Sequence, residues 1–150
     1  MEEAKSFHAD ELAPADFEQG QKAWDRAQVA EREGKADTAK VLFTSAKIYF
    51  NKSGAIAKAK RDALSRELRS IQLVSSSNFK QVQSDISRSN LSPKLQVQVQ
   101  EMVSAIEEGN ASISKLVNQD DFVKALAAAK DVQTKIYNAQ LILAGHSPKP

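Results

Sequence analysis

The sequence predicts an all-α protein: an elongated helical bundle of four helices, in which a long second helix joins a helical hairpin to a three-helix bundle. Three observations carry this expectation. Apolar residues hold one helical phase from Ala39 to Ile86. Helix start and stop residues stand at Pro14, Gly34, Ser92-Pro93 and Gly145. No window sustains the alternation of β-branched and aromatic residues that marks a strand. Gln96-Val97-Gln98-Val99-Gln100 alternates, but it lies between Pro93 and a helical stripe and reads as helix.

The elements follow in order. Residues 1–12 have no strong period and read as a flexible lead-in. A single helical domain then spans 13–145, and 146–150 form a tail. The first helix is expected from Pro14 to Glu33. Proline fits the first turn, where its missing N–H costs nothing. Phe17, Gly20, Trp24, Ala27 and Glu31 share one face, and Gly34 supplies a left-handed stop. Asp37 reads as the cap of the next helix. In that helix Leu42, Phe43, Ala46, Tyr49, Phe50, Ala57, Leu64, Leu68, Ile71, Phe79, Val82 and Ile86 fall within an arc of about 120° at 100° per residue. The phase survives Gly54 and the run Ser75-Ser76-Ser77-Asn78, so one helix of about 50 residues is favoured over a break near Gly54.

Ser92 as cap, Pro93 in the first turn and Leu91 just before them open a third helix over 93–118. Its inward residues are Leu95, Val99, Met102, Ile106, Gly109, Ile113, Leu116 and Val117, with a close neighbour expected at Gly109. The fourth helix, about 121–144, turns Phe122, Ala125, Leu126, Ala129, Val132, Ile136 and Leu143 inward. Lys47-Ile48-Tyr49 returns as Lys135-Ile136-Tyr137, a faint sign of two related hairpins.

Composition narrows the chemistry. The chain has 150 residues, no Cys and two His, at positions 8 and 146. Disulfides, thiolate metal sites and thiol nucleophiles are excluded, and little imidazole chemistry is left. The longest apolar run is about five residues, against the roughly 20 that span a bilayer. Asp120-Asp121 opens a helix, where carboxylates cap N–H groups, and Glu107-Glu108 precedes a glycine on an exposed edge. No catalytic residue, cofactor or metal site is expected, and the chain is read as not an enzyme.

Charge is +2 overall but uneven. Residues 1–37 carry −5 and residues 38–69 carry +6. The two stretches are expected to attract each other within the fold. Lys40, Lys47, Lys58, Arg69 and Lys80 are spaced 7, 11, 11 and 11 residues apart. They lie within about 60° of one another, read as opposite the apolar face. With Arg61 and Arg66 they form either a solvated face or a surface for anionic lipid, phosphate or an acidic protein. No aromatic residues interleave the stripe, which disfavours nucleic acid. Trp24, Tyr49, Phe50 and Phe43 gather around the first hairpin, either as its core or as a groove for a partner helix.

Leu12-Ala13-Pro14, Phe17, Ala23 and Ala27, then Gly34-Lys35-Ala36 with Ala39, Ala46 and Ala57, resemble a family of bacterial envelope lipoproteins of unknown function. The resemblance covers residues 10–65. In that family a short linker after a lipidated cysteine leads to an Ala-Pro-led helix, a Gly-centred turn and a long Ala-rich helix. This sequence departs from it in having Gly20 where Ala is usual and in lacking the cysteine, which removal of a leader would explain. Gly34–Phe50 is also similar to tetratricopeptide and microtubule-interacting-and-transport hairpins. The first resemblance implies the periplasm or a membrane anchor in the envelope, with the cytoplasm as the alternative. It implies a structural or binding role with no catalytic residues to carry over.

The expected function is a non-enzymatic interaction or scaffold protein that presents a long amphipathic helix to a protein partner or to itself, with no small-molecule substrate. The alternatives are a peptide-binding adaptor using Trp24, Tyr49 and Phe50, and a binder of anionic surfaces using Lys40, Lys47, Lys58, Arg61, Arg66 and Arg69.

Overall fold

The computed structural model describes residues 2–145; the expected tail, with His146, lies outside them. Six helices follow one another: α1 (Glu2–Ser6), α2 (Ala9–Leu12), α3 (Pro14–Arg32), α4 (Ala36–Arg88), α5 (Pro93–Asn118) and α6 (Phe122–Ala144). No strand occurs among the described residues. The protein is therefore all-α, but with six helices among the described residues rather than four, the long helix being the fourth of them.

The difference lies in the lead-in. Residues 2–12 form two short helices joined at His8, whose φ of 53° takes the left-handed conformation. Ala4, Ala9 and Ala13 are buried. Small buried residues contribute little apolar periodicity, which is why this segment has no visible stripe.

The chain divides into two compact units, residues 1–63 and 64–150. α4 runs without a break through Gly54 and the serine run, contributing residues up to Ala63 to the first unit and those from Leu64 on to the second.

In the first unit Ala4, Ala9, Ala13, Phe17, Ala46, Phe50 and Ala57 form the core. Phe17 and Phe50 meet edge to face, with centroids 5.4 Å apart. Gly20 lets the Phe50 ring in: a Cβ there would lie 2.8 Å from the Phe50 Cδ1. Gly34 has φ +72°. Its N–H donates to the Glu31 carbonyl at 3.0 Å and the Lys35 N–H donates to the Ala30 carbonyl at 2.9 Å, the paired bonds of a Schellman stop. α4 begins one residue before Asp37, so Asp37 lies in the first turn, at the positive end of the helix dipole, and not at the cap position. Lys52 donates to Asp16 at 2.8 Å, tying α4 to the start of α3.

In the second unit Leu68 and Val82 of α4 pack with Val103, Ile106 and Ile113 of α5 and with seven buried residues of α6. The Ser92 hydroxyl accepts from the Leu95 N–H and the Asp121 carboxylate from the Lys124 N–H, as N-caps of α5 and α6. Gly109 is the expected close approach, and its neighbour is a side chain: a Cβ there would lie 2.4 Å from the Val132 Cγ2. Ser75 is buried between the Leu68 and Val82 levels of the seam, and its hydroxyl has no hydrogen-bond partner among the described residues.

The repeated tripeptide does not occupy equivalent positions. Tyr49 is half-buried and Ile48 is 61% exposed, whereas Ile136 is 1% exposed and Tyr137 59%. The two copies face opposite ways.

Candidate partner-binding groove

The α4 face within the first unit is not fully covered. Three recesses follow one another along it. The first, of about 510 Å³, is lined by Ala36, Ala39, Lys40, Phe43, Thr44 and Lys47, with Glu31 and Gly34 on its far wall. The second, of about 470 Å³, is lined by Phe43, Lys47, Phe50 and Asn51, with Trp24 on its far wall. The third, of about 370 Å³, is lined by Phe50, Asn51, Gly54, Ala55 and Lys58, with Ala4 and Phe7 opposite. Neighbouring recesses share Phe43 and Lys47, then Phe50 and Asn51. They form one groove from Ala36 to Lys58, about 33 Å at 1.5 Å per residue.

The floor is aromatic. Trp24 packs edge to face on Phe43, with centroids 5.0 Å apart, and both are half-buried. Phe50 is 4% exposed and belongs to the core. Tyr49 is half-buried but lines none of these recesses. Of the expected aromatic set, Trp24 and Phe43 thus offer open surface, Phe50 closes the floor, and Tyr49 stands apart from the groove.

Lys40, Lys47 and Lys58 line the groove, which corrects the expectation that the basic stripe opposes the apolar face. At 100° per residue Lys47 lies about 40° from Phe43, so the stripe adjoins one edge of the apolar arc. These three lysines are exposed and have no ion-pair or hydrogen-bond partner among the described residues. Four other lysines of the unit are matched: Lys22 with Glu18, Lys35 with Glu33, Lys52 with Asp16, and Lys60 with the Leu12 carbonyl; Lys5 is not. Two of these pairs perturb titration. The Lys22 hydrogen bond holds the Glu18 carboxyl below its ordinary value, and the Asp16 hydrogen bond raises the Lys52 ammonium above its own.

The remaining basic candidates do not join this site. Arg61 is half-buried and already engaged, and Arg66 and Arg69 belong to the second unit. There Glu67 pairs with Lys130 at 2.8 Å. One ion pair, Asp16–Lys52, links the acidic and basic stretches among the pairs of the described residues.

Sequence reasoning missed Asn51, Gly54, Phe7 and Glu31 as groove residues. The signal was present in part: Ala36, Lys40, Phe43, Lys47, Asn51, Gly54 and Lys58 recur at three or four residues, or a multiple, along one helix face.

No group of three or more His, Cys, Asp or Glu able to hold a metal ion occurs among the described residues. No helix among them is long and apolar enough to cross a membrane. Compared with protein-family models, curated proteins and solved structures, the chain matches none.

Proposed function

We propose that this chain is a non-enzymatic protein-interaction module whose first unit seats a helical segment of a protein partner in the α4 groove. The observation that carries the reading is the pair Trp24 and Phe43, held half-open over the middle recess. Here the large rings stay accessible beside a trough of a helix's length, the arrangement in which an amphipathic helix lays its apolar face. Buried aromatic anchors commonly dominate such binding. The resemblance of residues 10–65 to bacterial envelope lipoproteins supports the envelope as the compartment for this role.

Trp24 is the single tryptophan, so its emission reports on the groove. Amphipathic helical peptides without Trp, made in several registers, are expected to shift Trp24 emission to the blue with micromolar dissociation constants, about −8 kcal/mol. Asn51→Phe, which fills two recesses from an exposed position, is expected to weaken binding about tenfold at unchanged thermal stability. Absence of a shift with every register refutes the reading.

A second reading, a scaffold that self-associates, draws on α6. Val123, Tyr137 and Leu141 are 49%, 59% and 55% exposed and fall within about 40° of arc. A monomeric mass across micromolar concentrations in light scattering excludes it.

A further inference from the structure

We infer that the groove of the first unit selects an acidic amphipathic helix of another protein: one with apolar residues about two turns apart and carboxylates along one flank. This rests on the groove being a helix-binding site, and goes beyond it by naming the chemistry of the occupant. The argument has three parts.

The first is charge. Of the eight lysines of this unit, Lys22, Lys35, Lys52 and Lys60 are matched by a carboxylate or a carbonyl, while Lys5, away from the groove, and the three that line it have no such partner among the described residues. The unit has carboxylates to spare: residues 1–37 alone carry ten. Leaving Lys40, Lys47 and Lys58 unpaired therefore does not reflect a shortage of acids. A ligand carrying carboxylates on that flank completes the pairs, and exposed pairs of this kind contribute more to selectivity and encounter rate than to raw affinity.

The second is spacing. Lys40 and Lys47 are two turns apart, about 10 Å, and Lys58 lies about 16 Å further on. Adjacent recesses are centred about two turns apart on the same face. A helix lying along α4 meets the recesses with apolar residues at i, i+7 and i+14, with carboxylates beside the first two facing Lys40 and Lys47 and a third about one turn beyond i+14 facing Lys58. An extended peptide rises about 3.3 Å per residue and meets the recesses every third residue, with side chains alternating between faces.

The third is shape. The aromatic rings line a trough and do not project from it, so a flat bilayer touches the lysine rim and leaves Trp24 and Phe43 unfilled. The same recession denies nucleic-acid bases a stacking platform.

The test uses the full chain as bait for a displayed library of 21-residue helices. Leu is fixed at the three anchor positions, and Glu, Gln and Lys are mixed at the flanking ones. Selection at about 50 mM salt is expected to enrich Glu on one flank. A selected Glu peptide without Trp should shift Trp24 emission, and bind about tenfold more tightly than its Gln counterpart. The advantage should fall toward unity near 0.5 M salt, where the Debye length is only a few ångströms. The variant K40E/K47E/K58E, altered only at exposed positions, should reverse the enrichment to Lys. Binders showing no charge preference overturn this inference and leave the groove reading standing. A library yielding no binders overturns both. Two further outcomes assign a different occupant and overturn the inference. One is a Trp24 shift with phosphatidylglycerol vesicles but not with the peptides. The other is concentration-dependent self-association abolished by Glu101→Lys and Glu108→Lys. That pair sits on the exposed face of α5 with the same seven-residue spacing as Lys40 and Lys47.

Discussion

Replacing Gly109 with Ala sets two opposed effects against each other. Ala is about 1 kcal/mol better than Gly in a helix interior, so propensity alone predicts stabilisation. The packing predicts the opposite. The new methyl would lie 2.4 Å from the Val132 Cγ2, where carbon atoms rest at about 3.5–4 Å. Val132 is 1% exposed and β-branched, so its χ1 is held in one rotamer on α6. Either that rotamer moves or α5 and α6 separate, and overpacking of this kind costs about 1–3 kcal/mol. The net expectation is destabilisation by about 1 kcal/mol, read as the shift in urea midpoint at constant slope. Val132→Ala alone removes two methyl groups from the core and should cost about 2 kcal/mol. In the double variant the methyl added by Gly109→Ala enters the vacated space, so the two changes should couple favourably by about 1–2 kcal/mol. A Gly109→Ala protein more stable than the parent, or strictly additive changes, would refute the reasoning.

Gly34→Ala meets no steric obstacle, since nothing lies within 4 Å of the added Cβ. Its left-handed backbone alone should cost about 1 kcal/mol in thermal or urea unfolding. By contrast Gly54→Ala, at 3.6 Å from the Ala4 Cα in ordinary contact, should gain up to about 1 kcal/mol. The Lys52 ammonium has a raised affinity for its proton in the fold. Its stabilising contribution is therefore present at neutral pH and fades as pH climbs through that raised value, above the ordinary lysine range. Lys52→Gln should flatten this alkaline limb in pH-dependent unfolding, and an unchanged limb would show that Asp16 does not carry the effect.

Much of the fold was legible because helices announce themselves by phase. The apolar arc of α4 holds from Leu42 to Ile86, and none of its twelve residues is exposed. Pro14, Ser92-Pro93 and Gly34 placed the ends of α3 and α5 within a residue. What escaped was of three kinds. Ala4 and Ala9 bury too little area to make a stripe, so α1 and α2 went unseen. Val103 and Ala139 lie at the margins of their inward faces, where only the position of a neighbouring helix decides burial. The groove is the third kind. The sequence marked Trp24, Phe50 and the lysines separately, but whether Trp24 is sealed or open depends on how far α3 stands from α4, and no residue states that distance. The wheel placed the lysines opposite the apolar face when they border it, because the arc's edge at Phe43 lies closer to them than its centre does.

Ser75 carries a consequence of its own. Its hydroxyl is buried on the stretch of α4 between Leu68 and Val82, and it returns no bond for the water it gave up. A plain methyl at that position would fold more tightly and suit the helix better. The molecule thus holds an unspent reserve, a single substitution from a sturdier second unit, of the kind that natural chains keep when selection asks only for enough stability. Such slack gives the lineage room to absorb costly changes elsewhere, including those that would reshape the trough along the first half of α4.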